Sequence, residues 1–208
     1  FYPWAPLISE LKFSHIKNGE HINETLIKKE TSTSEPFPFE DGLSAILDND
    51  NSLSIAYEYL SVLKYIRIMG LDGDVQVTEE SDVKKGIRSD LSIALDSSGD
   101  PYIAYKNDID YVNDYLAYAW RNGNGWRTDV VPPLGNNSYG WGLSMAIDDS
   151  DHKHISHIGY NGALFYTVSC TDVDEDGFCD NYNDNCIGEN NSDQLDCDGD
   201  GIGGEIPL

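Results

Sequence analysis

The feature that most constrains the fold is a repeat with a period of about 50 residues. An aromatic segment that begins with Leu occurs four times, with spacings of 52, 53 and 48 residues. Its copies begin at Leu11, Leu63, Leu116 and Leu164. A second segment, Leu-Ser followed by apolar residues and Asp, begins at Leu43, Leu91 and Leu143. Because two motifs share one period, the chain is expected to fold as a series of similar units.

Two further segments complete each unit. A short apolar and aromatic segment follows the Leu-Ser motif, in the copies 53–57, 102–105 and 154–157. Turns that begin at Asp48, Asp96 and Asp148 are predicted just before it, because an Asp side chain forms hydrogen bonds with its own backbone in turns. The last segment follows turns at 18–19, 72–73 and 122–125, in the copies Ile22–Ile27, Val75–Thr78 and Trp126–Val131. Each unit is therefore predicted to contain four short antiparallel strands.

Four strands in about 50 residues have the size and composition of a β-propeller blade. The predicted fold is all-β, with about 3.5 repeats over residues 1–169 and an irregular calcium-loop segment over 170–208. A β-sandwich is the alternative. Within a unit, the Leu-Ser segment is the first strand, the Leu-aromatic segment is the third, and the segment after the last turn is the fourth. The third strand occurs four times, but the first and fourth occur only three times. We therefore expect an incomplete propeller whose missing strands come from other chain segments or from neighbouring chains.

The repeat segments of residues 1–169 resemble secreted microbial β-propellers built on Leu-x-Ile-Asp-x-x-Gly-x-Pro-x-Ile-x-Tyr, which are loosely sialidase-like in fold. The sialidase Asp-box, Ser-x-Asp-x-Gly-x-Thr-Trp, is absent from the sequence. The resemblance therefore implies a fold but no glycosidase activity. The segment Lys28–Glu40, rich in Thr, Ser and Pro, is predicted to be a loop between blades.

The C-terminal segment carries the clearest chemistry. Its first loop runs Asp172-Val-Asp-Glu-Asp-Gly, and its second runs Asp196-Cys-Asp-Gly-Asp-Gly. Calcium prefers six to eight hard oxygen ligands, which alternate residues of a tight loop supply. The predicted calcium ligands are Asp172, Asp174, Asp176, Phe178 (carbonyl), Asp180, Asp184, Asp193, Asp196, Asp198, Asp200, Ile202 (carbonyl) and Glu205. An EF-hand fits less well, because no amphipathic helix flanks either loop.

Residues 172–205 resemble thrombospondin type 3 repeats, which run Asp-x-Asp-x-Asp-Gly-x-x-Asp-x-x-Asp-Asn-Cys and continue with a second Asp-rich loop. The resemblance implies chain wrapped around calcium ions with little hydrophobic core, in an extracellular matrix or cell-surface protein. The sequence departs from the pattern in an extra residue between Asp180 and Asp184, in Ile187 where the family has Pro, and in Gly204 where it has Asp. The second loop is therefore expected to be the weaker site.

The four cysteines lie together in this acidic segment, at Cys170, Cys179, Cys186 and Cys197. An even number in a loop-rich stretch predicts two disulfides and an oxidising compartment. Three pairings are compatible with the spacing. A thiolate zinc site is disfavoured, because no Cys-x-x-Cys pair occurs.

Charge excludes several classes of partner. The chain has 37 acidic and 13 basic residues and a formal net charge of −24. Such a surface repels nucleic acid and anionic lipid, whereas it favours divalent cations. No run of about 20 apolar residues is present to span a membrane.

No catalytic constellation is indicated. His152 and His154 share one strand face while His157 points to the other, which disfavours a three-His metal site. A glycosidase pair among the recurring turn aspartates stays an alternative. The tryptophans are attributed mainly to packing between blades. Arg67, Arg88, Arg121 and Arg127 are too scattered to indicate an anion site. Glycosylation sequons begin at Asn23, Asn136 and Asn190.

The sequence therefore predicts an extracellular or cell-surface protein that binds Ca²⁺ and has a structural or adhesive role. The propeller would bind proteins or glycans or self-assemble through open blade edges, and the calcium loops would form a stiff spacer. A lectin or glycoside hydrolase that uses the propeller face is the alternative function.

Overall fold

The computed structural model describes residues 7–31, 42–71, 75–107, 115–122, 125–131, 142–159 and 162–169. All regular structure in these ranges is β-strand, in four antiparallel sheets. The all-β prediction is confirmed. No helix in the described part of the chain is long and apolar enough to cross a membrane.

The sheets follow one another along the chain and are named I to IV here. Sheet I pairs β1 (Leu7–Lys17) with β2 (Glu20–Thr31). Sheet II contains, in order, β3 (Leu43–Leu47), β4 (Leu53–Tyr59), β5 (Val62–Met69) and β6 (Gln76–Lys85). Sheet III contains β7 (Ile87–Leu95), β8 (Pro101–Asn107), β9 (Tyr115–Asn122) and β10 (Gly125–Val130). Sheet IV contains β11 (Ser144–Ile147), β12 (Lys153–Ile158) and β13 (Leu164–Val168).

These strands occupy the positions that the repeat predicts. The four copies of the Leu-aromatic segment lie in β1, β5, β9 and β13, and the three Leu-Ser segments lie in β3, β7 and β11. One prediction is wrong: Lys28–Thr31 belong to β2 and not to a loop, because β2 pairs with β1 as far as Leu7↔Thr31. The rest of that predicted loop, residues 32–40, and the turn 72–73 lie outside the described residues.

The register is the same in three sheets. Ala56 pairs with Tyr65 in sheet II, Ala104 with Tyr118 in sheet III, and Ser156 with Tyr166 in sheet IV. The third-strand leucines likewise face equivalent partners, in the pairs Glu58↔Leu63, Lys106↔Leu116 and Ile158↔Leu164. Residues at these positions can therefore be compared directly between sheets.

The core lies between consecutive sheets. Ala56, Leu63 and Tyr65 of sheet II form a cluster with Ile93, Ile103 and other buried residues of sheet III. Ala104 and Leu116 of sheet III pack with Met145 and Ile155 of sheet IV. On the opposite face of sheet II, Ile55, Tyr57 and Ile66 pack with Leu11 of sheet I. Each large apolar side chain buried in this way stabilises the fold by about 1.5–3 kcal/mol.

The first strands β3, β7 and β11 lie side by side and are joined by serine side chains. The Ile93 amide donates to Ser44 Oγ at 3.2 Å, and the Met145 amide donates to Ser92 Oγ at 2.9 Å. These serines are the second residue of the Leu-Ser motif. The motif therefore recurs because its hydroxyl accepts a backbone hydrogen bond from the next sheet.

The hairpin between β4 and β5 uses an unusual two-residue turn. Leu60 and Ser61 have φ of 52° and 58°, a left-handed conformation that Asn and Gly adopt more readily. The predicted turn at Asn18–Gly19 is also left-handed, with φ of 54° and 85°. The Ser61 carbonyl accepts the Gly86 amide at 2.8 Å, so this turn also fixes the connection from β6 to β7.

Candidate functional site: the Asp-turn edge and sheet IV

The three aspartate turns have a common construction. In each, the Asp amide donates to the carbonyl of the fourth residue along, in the pairs Asp48–Ser52, Asp96–Asp100 and Asp148–His152. The Asp carbonyl accepts from the third residue along, and its carboxylate accepts from amides inside the turn. The prediction that these aspartates begin turns is confirmed.

The turns lie in a row at one end of sheets II to IV, which we call the Asp-turn edge. The Ser97 amide and hydroxyl donate to the two carboxylate oxygens of Asp151, at 2.7 and 2.8 Å. A Cβ at Gly99 would lie 3.2 Å from Asp48 Oδ2, which places the first turn beside the second. The three turns therefore lie in the same order as the sheets that contain them.

Two of the four arginines neutralise carboxylates and are not arranged as an anion site. Arg67 donates to Asp48 Oδ2 at 2.8 Å, to Asp50 Oδ2 at 2.9 Å and to Ser52 Oγ at 2.9 Å. Arg121 pairs with Glu79 of the neighbouring sheet at 2.6 Å. Both ion pairs tie elements of the scaffold together.

Sheet IV carries a polar cluster on Asp148. Its Oδ1 accepts the Ser150 and His152 amides at 2.8 and 2.9 Å. Its Oδ2 lies 3.1 Å from His152 Nδ1 and 3.1 Å from His154 Nε2. Partial desolvation opposes ionisation, but the hydrogen bonds from His152, His154 and Ser150 outweigh it and hold the pKa of Asp148 well below its usual range.

Tyr166 completes this cluster, with its hydroxyl 2.5 Å from His154 Nδ1. An ionised carboxylate only accepts hydrogen bonds, so His154 Nε2 carries a proton toward Asp148. His154 thereby links Asp148 to the Tyr166 hydroxyl, and these contacts fix an exposed phenol ring in place.

His157 lies on the other face of β12, as predicted. It is 5% exposed and stacks on Phe165 with ring centroids 5.3 Å apart. Burial lowers the pKa of His157. The three histidines therefore do not converge, and within the described ranges no group of three His, Cys, Asp or Glu side chains is arranged to hold a metal.

The outward face of sheet IV differs from its counterparts. Leu63 and Leu116 are 0% and 2% exposed, whereas Leu164 at the same position is 75% exposed. Tyr65 is buried and contacts Trp126 of sheet III edge-on at 5.2 Å, whereas Tyr166 is 59% exposed. Leu164, Tyr166 and Ile158 thus form an open face on sheet IV. The contact of Trp126 with Tyr65 shows that this tryptophan packs between sheets II and III.

The predicted calcium ligands and cysteines, all between residues 170 and 208, lie outside the described residues. Sequence reasoning missed the contact of His154 with Tyr166. A signal was available: the equivalent position in sheet II is Ser54, which bonds the Tyr65 hydroxyl at 2.9 Å. The tyrosine at this position of the third strand therefore bonds a serine in sheet II and a histidine in sheet IV.

No protein-family model and no curated protein matches the sequence. Among solved structures, the chain is similar to a fucose lectin from Kordia zhangzhouensis in complex with methyl-fucoside, with 11% identity and a TM-score of 0.40 over 62% of this chain and 92% of that one. It is also similar to virginiamycin B lyase from Staphylococcus aureus, with 10% identity and a TM-score of 0.27 over 78% of this chain and 74% of that one. Neither likeness bears on ligand or activity.

Proposed function

We propose that this chain is an extracellular or cell-surface protein with a structural or adhesive role. In this proposal a β-propeller-type repeat supplies the interaction surface. A calcium-bound segment of thrombospondin type 3 kind forms a stiff spacer after it. The open face of sheet IV is the single observation that carries the interaction role.

The order of the sheets supports a propeller-type arrangement. Successive sheets pack face to face, their first strands lie side by side, and serine hydroxyls join those strands at a spacing of one repeat. Blades packed around a common axis place their first strands innermost in this way. The sheets then present turns together at one edge, where loops from several units form a single surface.

The open face supports binding by this module. Large apolar side chains at equivalent positions are covered in sheets II and III, and uncovered apolar surface indicates an interaction site. Covering Leu164 to the degree of Leu63 would contribute about 1.5–3 kcal/mol to an association. This amount is meaningful for assembly of a surface structure.

The aspartate-rich loops support the calcium role. Alternating carboxylates with Gly at the bend, in Asp172–Gly177 and Asp196–Gly201, supply hard oxygens to a common centre. Without a cation these carboxylates repel one another, so binding and folding of the segment are coupled. Four cysteines in the same segment would restrict its unfolded ensemble further.

Calcium titration of the intact chain tests the proposal. We expect chelator to increase hydrogen exchange and protease cleavage within 170–208, while the circular dichroism signal of the sheets is retained. Asp174→Asn should weaken calcium binding by about tenfold or more, since it removes a charged ligand. Asp149→Asn, a change at an exposed turn of sheet IV, is the matched control. Equal cleavage of the segment with and without calcium would contradict the spacer role.

Glycan binding is a second candidate, which the exposed Tyr166 ring favours. Aromatic faces pack against apolar surface while polar groups nearby orient a ligand. His154 holds this ring in place, so little entropy is lost on stacking. Asp148 stays ionised and therefore does not supply the protonated acid that a glycosidase needs. Glycan-array binding that survives chelation and is lost in Tyr166→Ala would support this function.

A further inference from the structure

Tyr166 differs from the other tyrosines of the described ranges in its exposure. It is 59% exposed and is the only exposed tyrosine among them. Tyr57, Tyr65 and Tyr105 are buried in the core, and burial raises the pKa of each of these phenols. A buried phenol is shielded from dissolved reagents and loses its proton with difficulty. Tyr166 is therefore the phenol of the described fold that a reagent in solution reaches most easily.

The hydroxyl of Tyr166 also has a basic partner. It lies 2.5 Å from His154 Nδ1, whereas the Tyr65 hydroxyl bonds the Ser54 hydroxyl. An imidazole accepts protons near neutral pH, and a serine hydroxyl does not. His154 Nε2 carries a proton toward Asp148, so in the neutral form of the ring Nδ1 is the nitrogen without a proton. A base with a free lone pair then faces the phenol.

This geometry meets the requirement for oxidation of a phenol by one electron. Removal of an electron makes the phenolic hydroxyl far more acidic, so the electron and the proton leave together when a base is in contact. Such proton transfer needs an acceptor within hydrogen-bond reach, which His154 Nδ1 satisfies. The Asp148 carboxylate, 3.1 Å from His154 Nε2, would stabilise the imidazolium that forms.

We propose that Tyr166 is a redox-active residue that joins two copies of this chain covalently. In this proposal Tyr166 gives an electron to a haem peroxidase that acts with hydrogen peroxide, and His154 takes the phenolic proton. The resulting phenoxyl radical couples to Tyr166 of a second copy. The product is a dityrosine crosslink between the two chains.

The atoms and electrons of this reaction balance. Each of two copies loses one electron and one phenolic proton, which gives two phenoxyl radicals. The radicals form one carbon–carbon bond between ring positions next to the phenolic oxygens. The two ring hydrogens at that bond leave as protons, and the two oxygens regain protons. The net loss of two electrons and two protons reduces one hydrogen peroxide to two waters.

The second copy is favoured as the partner by the placement of the other tyrosines. Coupling needs a partner phenol that is itself exposed and oxidisable. Tyr102 and Tyr118 pack into the cluster between sheets III and IV, whereas Tyr166 lies on the opposite face of sheet IV. Tyr166 of another copy meets both conditions. Leu164 and Ile158, exposed on the same face, provide apolar surface on which two copies can meet.

Peroxidase treatment of the full chain tests this inference. The chain, with calcium and about 0.15 M salt to screen its net charge, is incubated with a haem peroxidase and hydrogen peroxide. We expect dityrosine fluorescence and a dimer that survives denaturing electrophoresis under reducing conditions, which exclude disulfide-linked dimers. Mass spectrometry should find a crosslinked peptide pair that contains Tyr166 twice. Absence of a dimer, or a dimer joined mainly through other tyrosines, would overturn the proposal.

A pair of phenylalanine variants tests the identity of the residue. Tyr166→Phe should abolish the dimer, because the phenolic hydroxyl is lost, and its exposed position makes a folding defect small. Tyr118→Phe is the matched control: Tyr118 has the same register position in sheet III but is half-buried beside Trp120. That variant should dimerise as the parent does. Undiminished crosslinking of Tyr166→Phe would refute the assignment.

Histidine variants test the proton acceptor. His154→Gln keeps a hydrogen-bonding group beside Tyr166 but removes the base, so the rate of tyrosyl radical formation should fall by at least about tenfold. His152→Gln removes the other imidazole on Asp148 and should retain nearly the parent rate. Radical absorbance after a flash-generated ruthenium(III) polypyridyl oxidant measures both rates. Equal rates in His154→Gln and the parent would show that His154 is not the acceptor.

This inference goes beyond the proposed function and does not depend on the calcium loops. With the ruthenium oxidant, the Tyr166 crosslink should form in chelator as well as in calcium, and in Asp174→Asn as well as in the parent. Crosslinking under those conditions would uphold the inference even if the calcium role failed. Loss of the crosslink in chelator, with calcium binding intact, would instead contradict the inference and leave the calcium role standing.

Discussion

Sheet II and sheet IV have the same strand register but different neighbours. Leu63 of sheet II lies under sheet III, and Tyr65 contacts Trp126 there. Leu164 and Tyr166, at the same positions of sheet IV, are largely exposed. The local sequence therefore specifies the strands, whereas burial depends on whether a further sheet follows. Variants at equivalent positions can separate these two contributions.

The largest difference is expected for the third-strand leucines. Leu63→Ala leaves a cavity between sheets II and III and should lower the free energy of unfolding by about 2–5 kcal/mol. Leu164→Ala should change it by less than about 0.5 kcal/mol, since exposed sites contribute little. Urea denaturation measures both. Similar losses in the two variants would show that the face of sheet IV is covered in solution.

The motif serines provide a smaller but equally direct comparison. Ser92→Ala removes the acceptor of the buried Met145 amide and should cost about 1–3 kcal/mol. Ser144→Ala, at the same motif position in the exposed strand β11, should cost less than about 0.5 kcal/mol. Both values come from denaturation curves of the full chain. A Ser144→Ala cost that matches Ser92→Ala would mean that another strand bonds β11.

Substitutions in the hairpins between the second and third strands of sheets II and IV should change the stability of the chain in opposite directions. Ser61→Gly relieves a left-handed serine and should stabilise the chain by about 0.5–1 kcal/mol, partly offset by greater freedom of the unfolded chain. In sheet IV the corresponding turn already has Gly162 at φ 76°. Gly162→Ala should therefore destabilise by about 1 kcal/mol. If these turns were unstrained, both thermal midpoints would move the other way, down for Ser61→Gly and up for Gly162→Ala, because only the freedom of the unfolded chain would change.

The smallest effect at neutral pH is expected for His157→Tyr, because Tyr57 and Tyr105 occupy that position in sheets II and III. Burial lowers the pKa of His157 below its ordinary value of 6.5. Below pH 6.5 the unfolded state therefore binds more protons than the folded state. The stability that neutral His157 contributes is fully present above pH 6.5 and is lost as the pH falls from that value through the lower pKa of the folded state. Denaturation midpoints measured against pH should show this decline in the parent and a flatter curve in His157→Tyr. An unchanged curve would assign the decline to other groups.

The strand positions could be predicted because each copy of the repeat reinforces the others. Leu164–Val168, for example, has little distinctive pattern alone, but it matches Leu63 and Leu116 at a fixed distance. Lys28–Thr31 were wrongly assigned to a loop because a polar run has no apolar alternation. Their strand structure follows from pairing with β1, and a local sequence pattern does not reveal that pairing.

The site in sheet IV was less accessible to prediction. The contact of His154 with Tyr166 depends on how β12 and β13 align, and local motifs do not specify that alignment. The roles of Ser44 and Ser92 depend likewise on the following sheet. Leu60 and Ser61 gave no turn signal, because neither residue type favours the left-handed conformation. The calcium loops remain a prediction from their spacing.

The serine hydrogen bonds between first strands have a consequence for how such a chain can evolve. Each bond needs only a hydroxyl on one unit and a backbone amide on the next, so it makes few demands on the identity of the neighbouring side chains. A duplicated or deleted unit would therefore find its main-chain connections already in place. The number of units can change by recombination without a matching set of compensating substitutions, and selection then acts mainly on the two terminal surfaces.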